Sequence, residues 1–196
     1  MRVMTHFGLW MVGLAGPLTQ TTEHERQCLA RHAAGRRKLV EIGVWHGVTT
    51  CYLRRSMQND GELLCVDPYR RGRLGFSARR RIAHRTVSKI RNGRVRWIRT
   101  SGEAAGRGYN LVEEGPVDFI FIDGDHSYDG LQRDWEAWHQ HVGCSGVVAL
   151  HDSRSSLEQD LESWGSAIYT REVIAKCKQF RVVDTVDTLT VLERVA

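Results

Sequence analysis

An α/β fold built on a single doubly wound, mostly parallel sheet with a C-terminal antiparallel hairpin is what the sequence predicts, and three observations predict it. Short apolar runs alternate with amphipathic stretches along most of the chain, and a strand–helix–strand rhythm closes into a parallel sheet with right-handed crossovers. The run Val117 to Ile122 is nearly unbroken in apolar character, as a central strand covered on both faces requires. The last two apolar runs meet tightly at Asp187-Thr188, which suits a hairpin at the sheet edge. With 196 residues the chain is long enough for one domain and too short for a separate substrate domain.

Element by element, Thr22-x-x-Glu25 reads as a capping box opening a helix through about His32. Met1 to Gln20 is left over as a lid, so residues 1–37 form an N-terminal lid and helix segment ahead of a domain at 38–196. The first strand is Lys38 to Val44, followed by a helix over Thr49 to Met57. Glu62 to Asp67 is the second strand, closed by Pro68. A helix over Ser77 to Arg91 stops at Asn92-Gly93, and Arg94 to Thr100 is the third strand. After the central run, Tyr128, Leu131, Trp135, Trp138 and Val142 fall at helical spacing on one face, which makes the two tryptophans core residues. Gly146 to Leu150 is a fifth strand, a helical region interrupted near Gly165 covers about Leu157 to Lys178, and Arg181 to Val186 with Leu189 to Val195 complete the sheet.

Apolar residues make up 41% and charged residues 26% of the chain, values of a globular protein rather than a disordered or fibrous one. Five scattered cysteines without a C-x-x-C pair predict a reduced, cytoplasmic chain with no structural zinc. Phe7 to Ala15 is too short and interrupted for an export signal, and nothing approaches the roughly twenty apolar residues of a membrane span. Its apolar part, Phe7 to Val12, is a surface on which a homo-oligomer could form.

Charge is unevenly placed. Arg70 to Arg99 holds twelve Lys or Arg and no acid, whereas Ser101 to Gly165 holds thirteen Asp or Glu against three Arg. The basic block reads either as a solvated helix face or as a surface for nucleic acid or another anion.

In an open parallel sheet, ligands sit beyond the carboxyl ends of the strands. The first strand ends in Glu41-Ile-Gly43-Val-Trp-His-Gly47 and the second in Asp67, which is placed to accept hydrogen bonds from ribose hydroxyls. Glu41 discriminates between ligands, because a carboxylate would be repelled by the pyrophosphate of a dinucleotide. S-adenosylmethionine carries no phosphate, and its sulfonium and ammonium favour acidic surroundings.

From about Lys38 to Asp152 the sequence resembles the class I S-adenosylmethionine-dependent methyltransferases, in particular the small-molecule O-methyltransferase-like group. The resemblance rests on the E-I-G-x-x-x-G turn at Glu41 to Gly47, on Asp67, on Ser101 to Glu103, on Ile122-Asp-Gly-Asp-His-Ser-Tyr128 and on Leu150-His-Asp152. It implies a Rossmann-like fold and methyl transfer to a hydroxyl oxygen. It also implies cofactor roles for Glu41, Gly43, Trp45 and Gly47 at the methionine part, Asp67 at the ribose, Ser101, Gly102 and Glu103 at the adenine side, and Asp123 beside the transferring methyl.

Divalent-metal members of the family use acids at the ends of the fourth and fifth strands, which makes Asp123 or Asp125 with Asp152 the implied Mg²⁺ ligands. His126 stands where those members place a lysine and is the implied base, with Asp123 as its catalytic neighbour. Two positions depart from that pattern: Ser153 replaces an amide ligand, and Gly124 replaces a ring near the adenine. Asp125, His126 and Asp129 have a second reading as helix-opening residues, and His151 one as an orienter of Asp152.

The expected partner is a small-molecule acceptor. A second reading is an RNA methyltransferase using the basic block, although no N-P-P-Y or D-P-P-Y signature is present. A third is a nucleotide-binding protein without turnover.

Overall fold

The computed structural model describes residues 3–72 and 75–195. Met1 and Arg2 of the expected lid, Arg73 of the basic block and Ala196 lie outside the described residues. Seven strands, β1 (Lys38–Ile42), β2 (Glu62–Val66), β3 (Arg94–Ile98), β4 (Val117–Ile122), β5 (Val142–Leu150), β6 (Phe180–Val186) and β7 (Leu189–Arg194), form one sheet in the order β3-β2-β1-β4-β5-β7-β6. The first five run parallel, and β7 inserts antiparallel between β5 and β6. The expected hairpin therefore lies at the edge, with its second strand on the inside.

The helices are α1 (Val3–Met11), α2 (Glu23–Ala33), α3 (Val48–Ser56), α4 (Ala78–Val87), α5 (Gly102–Arg107), α6 (Leu111–Glu114), α7 (Tyr128–Trp138) and α8 (Gly165–Glu172). Period-two alternation sends Val40, Ile42, Ile120, Ile122, Val148 and Leu150 to one face, against Leu131, Trp135 and Trp138 of α7 and Tyr169 of α8. Leu39, Phe119, Phe121, Val147 and Ala149 go to the other, against Cys28 and Leu29 of α2, Leu53 of α3 and Ala83 of α4. The helix α1 packs apart from both layers, with Phe7 on Ala78 and Ile82 of α4.

At the start of α2 the capping box forms as expected: Glu25 N–H donates to Thr22 Oγ1 at 3.1 Å and Thr22 N–H to Glu25 Oε2 at 2.8 Å. The helix expected from Leu157 does not form before Gly165. Short polar side chains there take the amides that a helix would need: Ser156 Oγ accepts from Gln159, Ser155 Oγ from Leu161 and Asp160 Oδ1 from Glu162. Helix α4 likewise stops at Val87 rather than Arg91, and Asn92 instead donates to the carbonyls of Arg54 and Met57.

The order of strands reverses between β1 and β4, which both end at Gly43 and Asp123. Gly43 has φ +87°, and a Cβ there would lie 1.9 Å from the Asp123 carbonyl oxygen. The two strand ends touch only because residue 43 has no side chain. Gly115 has φ +74° with nothing within 4 Å of an added Cβ, so it serves as a control. Gly43→Ala is expected to lower stability by about 3 kcal/mol or more, against about 1–2 kcal/mol for Gly115→Ala. Denaturant unfolding of the two variants measures the difference.

Candidate active site

Two cavities open at the carboxyl ends of the strands. The first, about 500 Å³, is lined by Gly43, Trp45, Asp67, Ser101, Gly102, Glu103, Asp123, Asp125 and His126 among others. Most of the residues expected on the cofactor therefore meet in one cleft. Glu41 and Gly47 are not among its lining residues. Glu41 faces the same sheet layer as Leu39 and is fully buried, with neither carboxyl oxygen hydrogen-bonded. Burial pushes its carboxyl well above the usual range, and the neighbouring charges of Asp123 and Asp67 push it further. Glu41, expected at the methionine part of the cofactor, thus lies behind the cleft wall, in surroundings that favour the neutral carboxyl. Gly47 has φ +75°, and a Cβ there would come 2.7 Å from Val87 Cγ2, so its missing side chain admits α4 rather than a ligand.

Asp67 staples the first turn to the second. Its Oδ2 accepts from the Val44 and Trp45 amides at 3.2 and 3.0 Å, and its Oδ1 from the Tyr69 amide at 2.7 Å. A carboxylate has about four lone-pair sites, so capacity remains for a ribose hydroxyl. Ser101 caps α5 through the Ala104 amide, and a Cβ on Gly102 would strike Asp134 Oδ1 at 2.4 Å. Asp134 also lines the cleft, and burial raises its pKa to about 6. The sequence reading missed it, although an acid between Leu131 and Trp135 on the buried face of α7 was the signal.

The second cavity, about 730 Å³, is lined by Thr22, Glu25, His151, Asp152, the 154–159 loop, Asp187 and Thr188, and shares Gln20 with the first. Between the two stand Asp123, His126, His151 and Asp152. His151 is 5% exposed and lies between carboxylates: its Nδ1 is 3.0 Å from Asp123 Oδ1 and 3.5 Å from Asp152 Oδ2, and its Nε2 is 3.3 Å from Glu25 Oε2. Burial opposes a charged ring, yet the Asp123 charge and the contacts with Asp152 and Glu25 push its pKa up to about 12. The same pairing holds Glu25 and Asp152 below the usual carboxylate range against their own burial. Glu25 Oε1 also accepts from the Thr188 amide and hydroxyl. In the sequence Glu25 was visible only as half of a capping box, and His151 only as an orienter.

His126 Nδ1 lies 3.4 Å from Asp152 Oδ2, and its Nε2 is 3.9 Å from Asp123 Oδ1. Asp125 points elsewhere. Its Oδ1 accepts from the Ser127 amide at 3.0 Å and its Oδ2 is 3.8 Å from Arg133, the helix-opening role that was its second reading.

Asp123, His126 and His151 place potential ligand atoms within 4.8 Å of one another. His151, however, has a carboxylate beside each ring nitrogen, a pairing that favours the protonated ring, and that form has no lone pair to give. Of the implied ligands, Asp123 and Asp152 meet against His151 and Asp125 turns to Ser127 and Arg133; two carboxylates paired with an imidazole are not the oxygen shell that Mg²⁺ takes. The residues present do not fit Mg²⁺. Among the described residues no helix is long and apolar enough to cross a membrane.

Removing the charge of Glu25 leaves a buried imidazolium short of a partner, and Glu25→Gln is expected to lose about 3–5 kcal/mol in denaturant unfolding. Glu25 and Asp152 titrate lower in the folded chain, so their contribution is complete above about pH 4.3 and is lost as pH falls through the folded values. His151 titrates higher, so its contribution is complete below about pH 6.5 and is lost as pH rises toward about 12. Thermal stability is expected to peak at roughly pH 5 to 6.5, and His151→Gln is expected to flatten the alkaline limb of the profile.

A family model described as a methyltransferase domain matches residues 40–153. The uncharacterized protein y4gI of Sinorhizobium fredii is 24% identical over 150 residues, 75% of this chain, and the chain spans 14% of its length. Among solved structures, the O-methyltransferase TomG of Streptomyces achromogenes, involved in tomaymycin synthesis and bound to S-adenosylmethionine, is similar with a TM-score of 0.66 at 15% identity, over 100% of this chain and 91% of its own. An O-methyltransferase of Bacillus cereus in complex with SAH has a TM-score of 0.66 at 16% identity, over 99% and 90%. At such identities the likeness is one of fold. The family match runs from inside β1 to the residue after Asp152, over half of the sequence, and the chain belongs to the methyltransferase domain family.

Proposed function

We propose that the chain transfers a methyl group from S-adenosylmethionine to a hydroxyl oxygen of a small molecule. The observation that carries this reading is the pair of cavities meeting at Asp123, His126, His151 and Asp152, a cluster with more carboxylate than cationic charge. The cleft fits the methyl donor better than a dinucleotide, because the Val44 and Trp45 amides, which would cradle a pyrophosphate, already donate to Asp67.

When bound, the donor supplies a methyl group on a cationic sulfonium, whose charge is lost as the carbon–sulfur bond breaks and the carbon–oxygen bond forms. Asp67 is suited to the ribose, Ser101 to Glu103 to the adenine side, and Asp123 to the positive end. The larger cavity takes the acceptor. His126 lines the cofactor cleft and stands 3.4 Å from Asp152, which lines the acceptor cavity, so an acceptor hydroxyl at the junction gives its proton to the imidazole while Asp152 stabilises the ring that results. His151 is already protonated and cannot act as base; it holds Asp123 and Asp152 in place. With Mg²⁺ not fitting the donor set, proximity and His126 replace Lewis-acid activation. Residues 3–20 reach the rim of this region: Gln20 lines both cavities, the His6 ring stacks on His46 at 5.3 Å, His46 on Trp45 at 4.9 Å, and the Leu18 amide donates to His46 Nδ1. They serve as the lid of the cofactor cleft, and a reducing, cytoplasmic setting suits the free cysteines.

Calorimetric titration with S-adenosylmethionine is expected to show micromolar binding that EDTA does not change, and NAD to show none. Binding of NAD without binding of the methyl donor overturns the reading. Once an acceptor is found, His126→Ala is expected to lower kcat by about 10²–10⁴ while donor affinity changes little.

A further inference from the structure

The basic block does not spread evenly over a solvated helix. Arg71, Arg80, Arg81, Arg85 and Arg99 line a single groove of about 860 Å³ between α4 and the end of α1. None of the five has an ion-pair partner among the described residues, although Arg99 donates to the Pro68 and Tyr69 carbonyls. Elsewhere on the surface Arg26, Arg107 and Arg171 each have a carboxylate in reach. Guanidinium groups gathered without acids repel one another, and a polyanion relieves that repulsion.

Rings complete the groove. Trp10, Phe76 and His84 line it; Arg81 lies 4.6 Å over the Phe76 ring, Trp97 stacks on His84 at 3.9 Å, and Phe7 packs on Phe76 and on one face of the half-buried Trp10. An acidic protein surface or a lipid headgroup matches the charge alone. A strand with unpaired bases matches the charge with phosphodiesters and the ring faces with stacking, which is worth about 1–3 kcal/mol per base. The groove shares no lining residue with either cavity of the candidate active site.

We propose that this groove binds a single-stranded nucleic acid, with the arginines on its phosphodiesters and Trp10 against a base. The surface is an anchoring site, and it stands whether or not the small-molecule reading of the active site holds.

The test is fluorescence anisotropy of a labelled RNA of about twelve nucleotides, between 50 and 200 mM salt, with poly-glutamate and inorganic triphosphate as competitors. Wild-type protein is expected to bind with a log–log salt slope of roughly −2 or steeper, as three or more phosphate contacts require. Arg81 and Arg85 are exposed, so the double variant Arg81→Glu, Arg85→Glu is expected to fold, to keep its thermal midpoint and methyl-donor binding, and to bind the RNA at least tenfold more weakly. Trp10→Ala is expected to weaken RNA binding several-fold while leaving triphosphate competition with the remaining complex unchanged. The proposal is overturned by absence of RNA binding at 50 mM salt or by affinity indifferent to the charge reversals. Displacement of the RNA by poly-glutamate at equal charge concentration overturns it too, and assigns the groove to an acidic protein.

Discussion

The buried imidazolium of His151 is the interaction on which the rest of the site depends. It ends β5, pairs with Asp123 at the end of β4 and with Glu25 on α2, and through Glu25 reaches Thr188 in the turn before β7. Four elements far apart in sequence are therefore held at one point. A charge this deeply buried is stable only while its partners are in place, so the arrangement specifies the relative positions of helix, sheet and hairpin more sharply than apolar packing does. It also engages its neighbours: Asp123 and Asp152 both lie against the His151 ring, and His126 Nδ1 stands 3.4 Å from the same Asp152 carboxylate.

The cofactor cleft is organised by a second carboxylate in a comparable way. Asp67 draws the turns after β1 and β2 together by accepting three amides. Gly43 lets β1 and β4 end in contact. The cleft is thus shaped by backbone geometry and is in place before any ligand arrives, so little ordering is left for a ligand to induce.

Much of the framework was legible in the sequence because the signals were local. The capping box at Thr22 and Glu25, the run Val117 to Ile122 and the stripe through Trp135 and Trp138 each depend on neighbours within a turn or a strand. Leu157 to Trp164 was misread as helix because propensity does not count serine and aspartate side chains that compete for backbone amides. The burial of Glu41 was not legible for a different reason. Its place near a strand end suggested the cleft, whereas alternation with Leu39 turns it into the core, and the pleat decides. The second role of Glu25 could not be seen at all, since its partners, His151 and Thr188, lie more than a hundred residues away and only the fold brings them together.

That separation bears on modularity. The segment shared with the family begins at residue 40 and ends at residue 153, yet both Glu25 and Thr188 lie outside it. A graft of the shared segment onto a foreign scaffold would carry Asp123, His126 and His151 but leave the imidazolium with a missing counter-charge. The site therefore draws on more of the chain than the matched segment, and a change at Glu25 on the N-terminal helix and one at Thr188 in the edge hairpin act on the same buried ring.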